Sequence, residues 1–309
     1  MKADLAMKRY SRTMLALLPL LSPVGAWAQQ ASLPITAPKA DAAQVSVPVQ
    51  AAAANINITP RRVIFDRTKR TEAVYVFNQG TTPVAVDVAL IDNAMLPSGE
   101  IVPLSRLGER GAAGEAAGAK VRSAKPFVLA APSRLTLPPG QGKTIRVRAT
   151  LADGADTSEY RTHLTVTTVP APDTGLTAEQ AAAAEKGELV LRIQSVFGIS
   201  IPLIVRGGEP DATGSIGPMA AATVREGPAL SVTLRRKGTT SLYGNIELRT
   251  AKEIVGVARG IAVYPEADER EALVPLLRPL KKGEVVTATY SADDGKKPVA
   301  IASGTYTAP

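Results

Sequence analysis

Cysteine is absent from the 309 residues. No disulfide can restrict the unfolded chain, and no thiolate can bind zinc or attack a substrate. Each domain must therefore rest on its own apolar core, even in a compartment that permits disulfides. Histidine is nearly as scarce: His163 is the only one. It lies in the alternating stretch Tyr160-Arg-Thr-His-Leu-Thr-Val-Thr-Thr-Val, which reads as a strand, so a structural role is expected. A metal site built on several imidazoles is excluded. Acidic residues are dispersed, which argues against the paired carboxylates of a glycosidase and against a calcium loop. Gly238 and Gly244 form no phosphate loop, and nothing marks a nucleophile elbow. Aromatics make up 4% of the chain and are not interleaved with Lys/Arg runs, so the net charge of +8 does not read as nucleic-acid binding. Beyond the N-terminal leader no segment approaches about 18 continuous apolar residues, so no membrane insertion is expected. No cofactor and no enzyme chemistry are predicted. Binding through backbone and apolar surface is what remains.

What is present begins with an export signal. Lys2, Lys8, Arg9 and Arg12 precede an apolar stretch from Met14 to Val24, and Ala26-Trp27-Ala28 fits a small-x-small cleavage site before Gln29. Pro19 and Pro23 interrupt the stretch, which is too short to span a bilayer. Removing residues 1–28 takes away those four cations and Asp4, lowering the net charge from +8 to +5. Residues 29–54, rich in Ala, Pro, Val and Gln, read as a flexible leader with one strand-like piece at Val45–Val49.

The rest of the chain alternates. The longest case is 189–205, where Leu189, Leu191, Ile193, Phe197, Ile199, Ile201, Leu203 and Val205 share one face. Typical strands have about 5–6 residues, so one sandwich cannot bury all of this run. Pro202 cannot donate to a ladder, which favours an edge. A long apolar edge strand is an aggregation hazard unless something pairs with it. Shorter strands are predicted at Ile56–Phe65, Glu72–Asn78, Ala85–Asp92, Phe127–Ala130, Arg134–Leu137, Thr144–Ala149 and Tyr160–Val169, separated by turn signals such as Pro138-Pro139-Gly140. Two insertions interrupt them. Residues 105–122 read as a mobile Gly/Ala loop. Residues 171–187 read as a loop with a short helix, opened by the capping box of Thr177 and Gln180. Gly207-Gly208-Glu209-Pro210 marks a boundary, and a second series follows: Ala229–Arg235, Leu242–Thr250, Ile254–Val263, Glu271–Leu277, Val285–Ser291 and Val299–Thr305. The expected organisation is a signal peptide (1–28), a leader (29–54) and two all-β sandwich domains (55–206 and 207–309).

Several ordered motifs sharpen this picture. They are Pro60-Arg61-Arg62-Val63-Ile64-Phe65-Asp66; Glu72–Asn78 with Thr82-Pro83; Phe127–Pro132; Leu137-Pro138-Pro139-Gly140-Gln141; Ile145-Arg146-Val147; and Ser158-Glu159-Tyr160-Arg161. In the second half come Arg236, Ser241-Leu242-Tyr243-Gly244, Val263-Tyr264-Pro265 and Tyr290 through Asp293-Asp294-Gly295 to Pro298-Val299. Together they resemble the periplasmic pilus-assembly chaperones of the chaperone–usher pathway. The resemblance covers roughly residues 55–309. It implies two immunoglobulin-like sandwiches in a hinged, L-shaped arrangement. It further implies a periplasmic chaperone that completes the sheet of a pilus or fimbrial subunit and delivers it to an outer-membrane usher.

Three residue sets carry over by position. Glu159, Arg206 and Asp293 fall on an acid–base–acid triad that holds the domains, since one guanidinium can serve two carboxylates. Arg62 takes the place of a cleft arginine that binds the subunit's C-terminal carboxylate, with Arg61 the fallback if the register shifts by one. Leu189, Leu191, Ile193 and Phe197 are the donor-strand residues. There is one departure. The family's second anchor is a lysine in this strand, and here the position falls on Ser200 or Pro202, neither of them basic. That departure, with Phe197-Gly198-Ile199, is similar to a divergent, archaic branch. Two other readings compete: a tandem β-sandwich adhesion or structural protein of the envelope, and a secreted hydrolase using His163.

Overall fold

A computed structural model describes residues 55–151, 158–170, 195–293 and 298–309, together with residues 182 and 185. The elements that can be bounded among the described residues are strands apart from one short helix and two 3-10 turns. The first half contains β1 (Ile56–Thr59), β2 (Val63–Phe65), β3 (Thr71–Asn78), β4 (Val84–Ile91), β5 (Asn93–Met95) and β6 (Ile101–Pro103). It continues with α1 (Gly111–Lys120), β7 (Val128–Ala131), β8 (Arg134–Leu137), β9 (Gly142–Ala149), β10 (Glu159–Thr168) and β11 (Gly198–Arg206). One sheet has the order β1-β3-β9-β7 and the other β2-β11-β10-β4-β8. Alternate residues of the two sheets, including Val74, Val76, Ile145, Val147, Leu164, Val166, Ile201 and Leu203, fill one core between them. This is an immunoglobulin-like sandwich.

The single strand expected over Ile56–Phe65 is two. Pro60 has no N–H with which to continue the β1–β3 ladder. The chain crosses there to the other sheet, where β2 runs parallel to β11. The expected loop over 105–122 is also different. Residues Leu104–Arg110 form a 3-10 turn that leads into α1. Its alanines are strong helix formers, and Ala117 packs with Leu107, Ala94, Leu96 and Val102 into a small satellite core. Gly114 is needed in this turn, because a Cβ there would collide with the Leu107 carbonyl.

The second half forms another sandwich. Its strands are β12 (Thr213–Val224), β13 (Gly227–Lys237), β14 (Leu242–Arg249), β15 (Ile254–Val263), β16 (Glu269–Pro275), β17 (Val285–Ala292) and β18 (Ala300–Thr307). The sheets are β12-β13-β16 and β15-β14-β17-β18 around Leu230, Val232, Ile246, Leu248, Val274 and Tyr290. Strand β12 gives little signal in the sequence. Its middle is rich in Gly, Ala and Pro, which have low strand propensity, and its register shifts between Ile216 and Met219.

The two sandwiches share an apolar seam of Met95, Ile204, Ala262, Tyr264 and Ala267, flanked by Ile64 and Tyr243. Ile204 explains why the β11 sequence looked over-supplied with apolar residues. Leu203 and Val205 face their own core, whereas Ile204 faces the second sandwich. The β5–β6 hairpin adds to the seam: Glu271 N donates to Pro97 O at 2.7 Å. The Lys120 ammonium at the end of α1 meets Asp268 at 2.7 Å.

Candidate functional site

The site lies where β11 approaches the seam. Strand β11 pairs along one side with β10 over its whole length, from Glu159↔Arg206 to Thr167↔Gly198. On the other side β2 covers only Leu203–Val205. The outer edge from Gly198 to Pro202 has no strand partner among the described residues. Its inward side chains belong to the first core, with Ile201 buried and Ile199 partly so. Just upstream, Val196 and Phe197 are 60% and 45% exposed. Phe197 is tethered to β10: its N–H donates to Thr168 Oγ1, and its carbonyl accepts from Thr168 N, both at 2.8 Å. The other three expected donor residues, Leu189, Leu191 and Ile193, lie outside the described residues.

Arg62 immediately precedes β2, at the point where the covered part of the edge gives way to the open part. Its guanidinium lies 4.3 Å over the Tyr243 ring, a cation–π contact. Nη2 donates to Ser241 Oγ at 3.1 Å, and Nε is buried without an acceptor. Among the described residues Nη1 has no acceptor and no carboxylate lies within ion-pair distance of this guanidinium. Burial holds this guanidinium below the ordinary arginine range, against the pull of Tyr264 and Glu159, with the nearby Arg206 pushing the same way as burial. Arg61 is exposed and makes no comparable contact.

The expected triad is differently composed. Arg206 Nε donates to Glu159 Oε2 at 3.0 Å, and both side chains are largely buried. Asp293 does not join them. It is exposed at the end of β17, and only its backbone amide is engaged, donating to Tyr243 O at 3.3 Å. Ser241 stands in its place. Its N–H and its hydroxyl both donate to Glu159 Oε2, at 3.0 and 2.9 Å. A hydroxyl reaching across the seam does here what a second carboxylate was expected to do.

A second buried pair had no counterpart among the expected site residues. Arg161 of β10 forms a salt bridge with Glu266, their side chains 4% and 3% exposed. Arg161 also donates to Asn93 O at 2.9 Å and lies 3.6 Å over the Tyr264 ring. Glu266 accepts from Met95 N at 2.7 Å. Burial pushes the Tyr264 hydroxyl above its usual range, against the opposing pull of Arg161 and Arg62. Tyr264, Tyr243 and Ser241 lay in motifs visible in the sequence, but nothing local marked them as partners of Arg161, Arg62 or Glu159.

His163 is buried on β10 opposite Pro202 and Ile91, with Nδ1 unpartnered. Burial, and then the Arg161 charge, push it down to about 3. It is neutral at ordinary pH and closed to solvent, unlike a general base poised near neutrality. Ser200, one candidate for the lysine position, bonds Thr165 Oγ1 at 2.8 Å across the β10–β11 ladder. Among the described residues no group of three or more His, Cys, Asp or Glu could hold a metal ion. No described helix is long and apolar enough to cross a membrane.

No family model matches the chain, and no curated protein sequence matches it. Solved structures do. The CupB2 chaperone of Pseudomonas aeruginosa is similar at 14% identity, over 82% of this chain and 98% of that one, with a TM-score of 0.40. A second is the CsuC–CsuE chaperone–tip adhesion subunit pre-assembly complex from the archaic chaperone–usher Csu pili of Acinetobacter baumannii. It is 12% identical over 81% of this chain and 99% of that one, with a TM-score of 0.43. The Salmonella enterica SafA pilin in complex with the SafB chaperone gives 15%, 82% and 96%, with a TM-score of 0.40. At such identities and scores the functional reading rests on this chain's own residues.

Proposed function

We propose that this chain is a periplasmic, non-enzymatic chaperone for pilus-type subunits. It lends the open edge of β11 to a subunit sheet that lacks a strand and holds the subunit's C-terminal carboxylate at Arg62. It keeps the subunit soluble until transfer to an outer-membrane usher. The observation that carries this reading is the conjunction of a strand edge at Gly198–Pro202 that has no strand partner among the described residues with a guanidinium at its end that has no carboxylate partner among them.

The geometry argues for one orientation. Strand β2 runs parallel to β11 on that edge. A guest strand lying upstream on the same edge and running the same way ends where β2 begins, at Arg62. Its terminal carboxylate then meets a cation whose planar fork suits it. A guest running the other way would bring an ammonium to the same place and be repelled. The local charge agrees: Glu159 is paired with Arg206 and acts on Arg62 only through space, so two guanidiniums face one carboxylate.

Magnitudes divide the labour. Each apolar donor side chain buried contributes about 1.5–3 kcal/mol, so Leu189, Leu191, Ile193 and Phe197 together outweigh one charge-assisted hydrogen bond of about 1.5–3 kcal/mol. Affinity comes mainly from the strand. Arg62 chiefly sets register, which matters because a one-residue slip reverses every side chain. The leader at 1–28 supplies export, with cleavage after Ala28.

The test is co-purification from the periplasm, with mass spectrometry of what travels with the chain. Small exported subunits are expected with the wild type. They should be lost from Leu191→Glu/Ile193→Glu and reduced in Arg62→Ala, with both variants still folded. A monomer without clients, or unchanged recovery in both variants, would overturn the proposal in favour of a tandem-sandwich envelope protein.

A further inference from the structure

We propose that Ser241 is the positioning residue that makes capture of a carboxylate at Arg62 depend on the seating of the second sandwich. This rests on the reading that Arg62 receives a strand's C-terminal carboxylate.

A serine hydroxyl has one proton to give and two lone pairs to offer. The Ser241 proton goes to Glu159 Oε2 at 2.9 Å. Its oxygen then accepts from Arg62 Nη2 at 3.1 Å and from Arg206 Nη2 at 3.4 Å. Ser241 Oγ is the sole hydrogen-bond acceptor of Arg62 among the described residues. That acceptor belongs to the other sandwich, 179 positions along the chain. With Nη2 engaged and the ring of Tyr243 behind the guanidinium, the remaining edge at Nη1 is the one left for a ligand.

Ser241 is itself held rigidly. Its N–H is spent on Glu159 at 3.0 Å. The preceding residues are fixed by Asp211, whose carboxylate accepts from Thr239 N, Thr240 N and Thr240 Oγ1 at 2.8–3.0 Å. Arg236 closes the same loop by donating to Gly238 O, Thr240 O and Pro265 O. Arg62 has no such support. It has a ring on one face, a repelling guanidinium nearby and a single hydroxyl. Removing that hydroxyl frees the guanidinium to turn away from Arg206 and lose its aim. By linkage, a carboxylate bound at Arg62 should in turn favour the seated arrangement.

The experiment uses the full mature chain and one synthetic probe, a lysine-tagged Thr-Val repeat peptide made with a free C-terminal carboxylate and as the C-terminal amide. Isothermal titration gives the carboxylate-over-amide preference. Wild type should prefer the carboxylate, Arg62→Ala should abolish the preference, and Ser241→Ala should reduce it about tenfold, the value of one charge-assisted bond. Ser241→Thr, which keeps the hydroxyl, should restore it, an outcome that a merely structural role for the loop would not give. An unchanged preference in Ser241→Ala with loss in Arg62→Ala overturns the coupling and leaves the anchor standing. Absence of any preference in the wild type, or its survival in Arg62→Ala, overturns the anchor itself. A second readout exploits the absence of cysteine. Spin labels at Thr144→Cys and Lys252→Cys should give an inter-label distance distribution that the carboxylate peptide narrows in wild type and not in Ser241→Ala.

Discussion

Two charged clusters sit on the same seam between the sandwiches and differ in composition and exposure. Around Glu266 there is one guanidinium for one carboxylate, both almost wholly buried, with Asn93 O, Met95 N and the Tyr264 ring against them and with Arg161 Nε and Nη1 buried without acceptors. Around Glu159 there are two guanidiniums for one carboxylate, and one of them, Arg62, keeps an edge without an acceptor. The first cluster is balanced in charge and shut away from solvent, which suits it to holding the domains together. The second carries a surplus positive charge beside a strand edge that has no partner among the described residues, and on the proposed function that surplus is what a ligand neutralises. A buried charge pair is weak evidence for stability but expensive to break on one side only. A surplus charge is a cost to the free protein that a bound anion relieves.

The comparison breaks most readily at Glu266. Glu266→Ala strands the Arg161 guanidinium in the seam and should cost about 3–5 kcal/mol in urea unfolding. Replacing both partners, Arg161→Met with Glu266→Met, should recover most of that loss. If the single variant is as stable as wild type, the closed cluster is not a lock.

The same side of the seam should resist protonation. His163 is pushed down to about 3 by burial and then by Arg161. Between about pH 3 and 6.5 the unfolded chain binds a proton there that the folded chain does not. Stability therefore falls as pH is lowered through that window, by at most about 1.4 kcal/mol per pH unit from this residue. His163→Leu should flatten that part of a stability–pH curve measured by denaturant titration. A curve of unchanged slope would show that the imidazole is not held neutral by the fold.

The open cluster should behave in the opposite sense. Arg62→Met removes the surplus cation and should leave thermal stability unchanged or raise it by up to about 1 kcal/mol, while carboxylate preference is lost. A marked destabilisation would make Arg62 a structural residue and erase the distinction between the clusters. The smallest effect is expected at Asp293. Since Ser241 occupies the bridging place, Asp293→Asn should change stability by no more than about 0.5 kcal/mol. A larger loss in a melting experiment would restore the acid–base–acid triad.

Much of the fold was legible in the chain because strand burial is a local, period-2 property. The alternation in Glu72–Asn78, Thr144–Ala149 and Tyr160–Val169 reappears as β3, β9 and β10 within a residue or two at each end. The Gly207-Gly208-Glu209-Pro210 break falls between β11 and β12. Where local chemistry was ambiguous the reading failed. The Gly/Ala stretch at 105–122 has composition suited to loop or helix, and only packing against Leu96, Val102 and Leu107 selects α1. Strand β12 carries strand formers only near its ends and at Ile216, and its Gly/Pro/Ala middle is held in a ladder by β13.

By itself the sequence determined that the chain is a cysteine-free β protein built on alternating apolar strands. This follows from composition and from side chains that alternate along a backbone. Only the tertiary structure decided which charges meet. It paired Arg161 with Glu266, 105 positions apart, and set Ser241 against Glu159, 82 positions apart, in the place expected for Asp293. It also left Arg62 without a carboxylate among the described residues. The reason is that the partners of a buried charge depend on distance and solvent exclusion in the folded seam, and neither is a function of spacing along the chain.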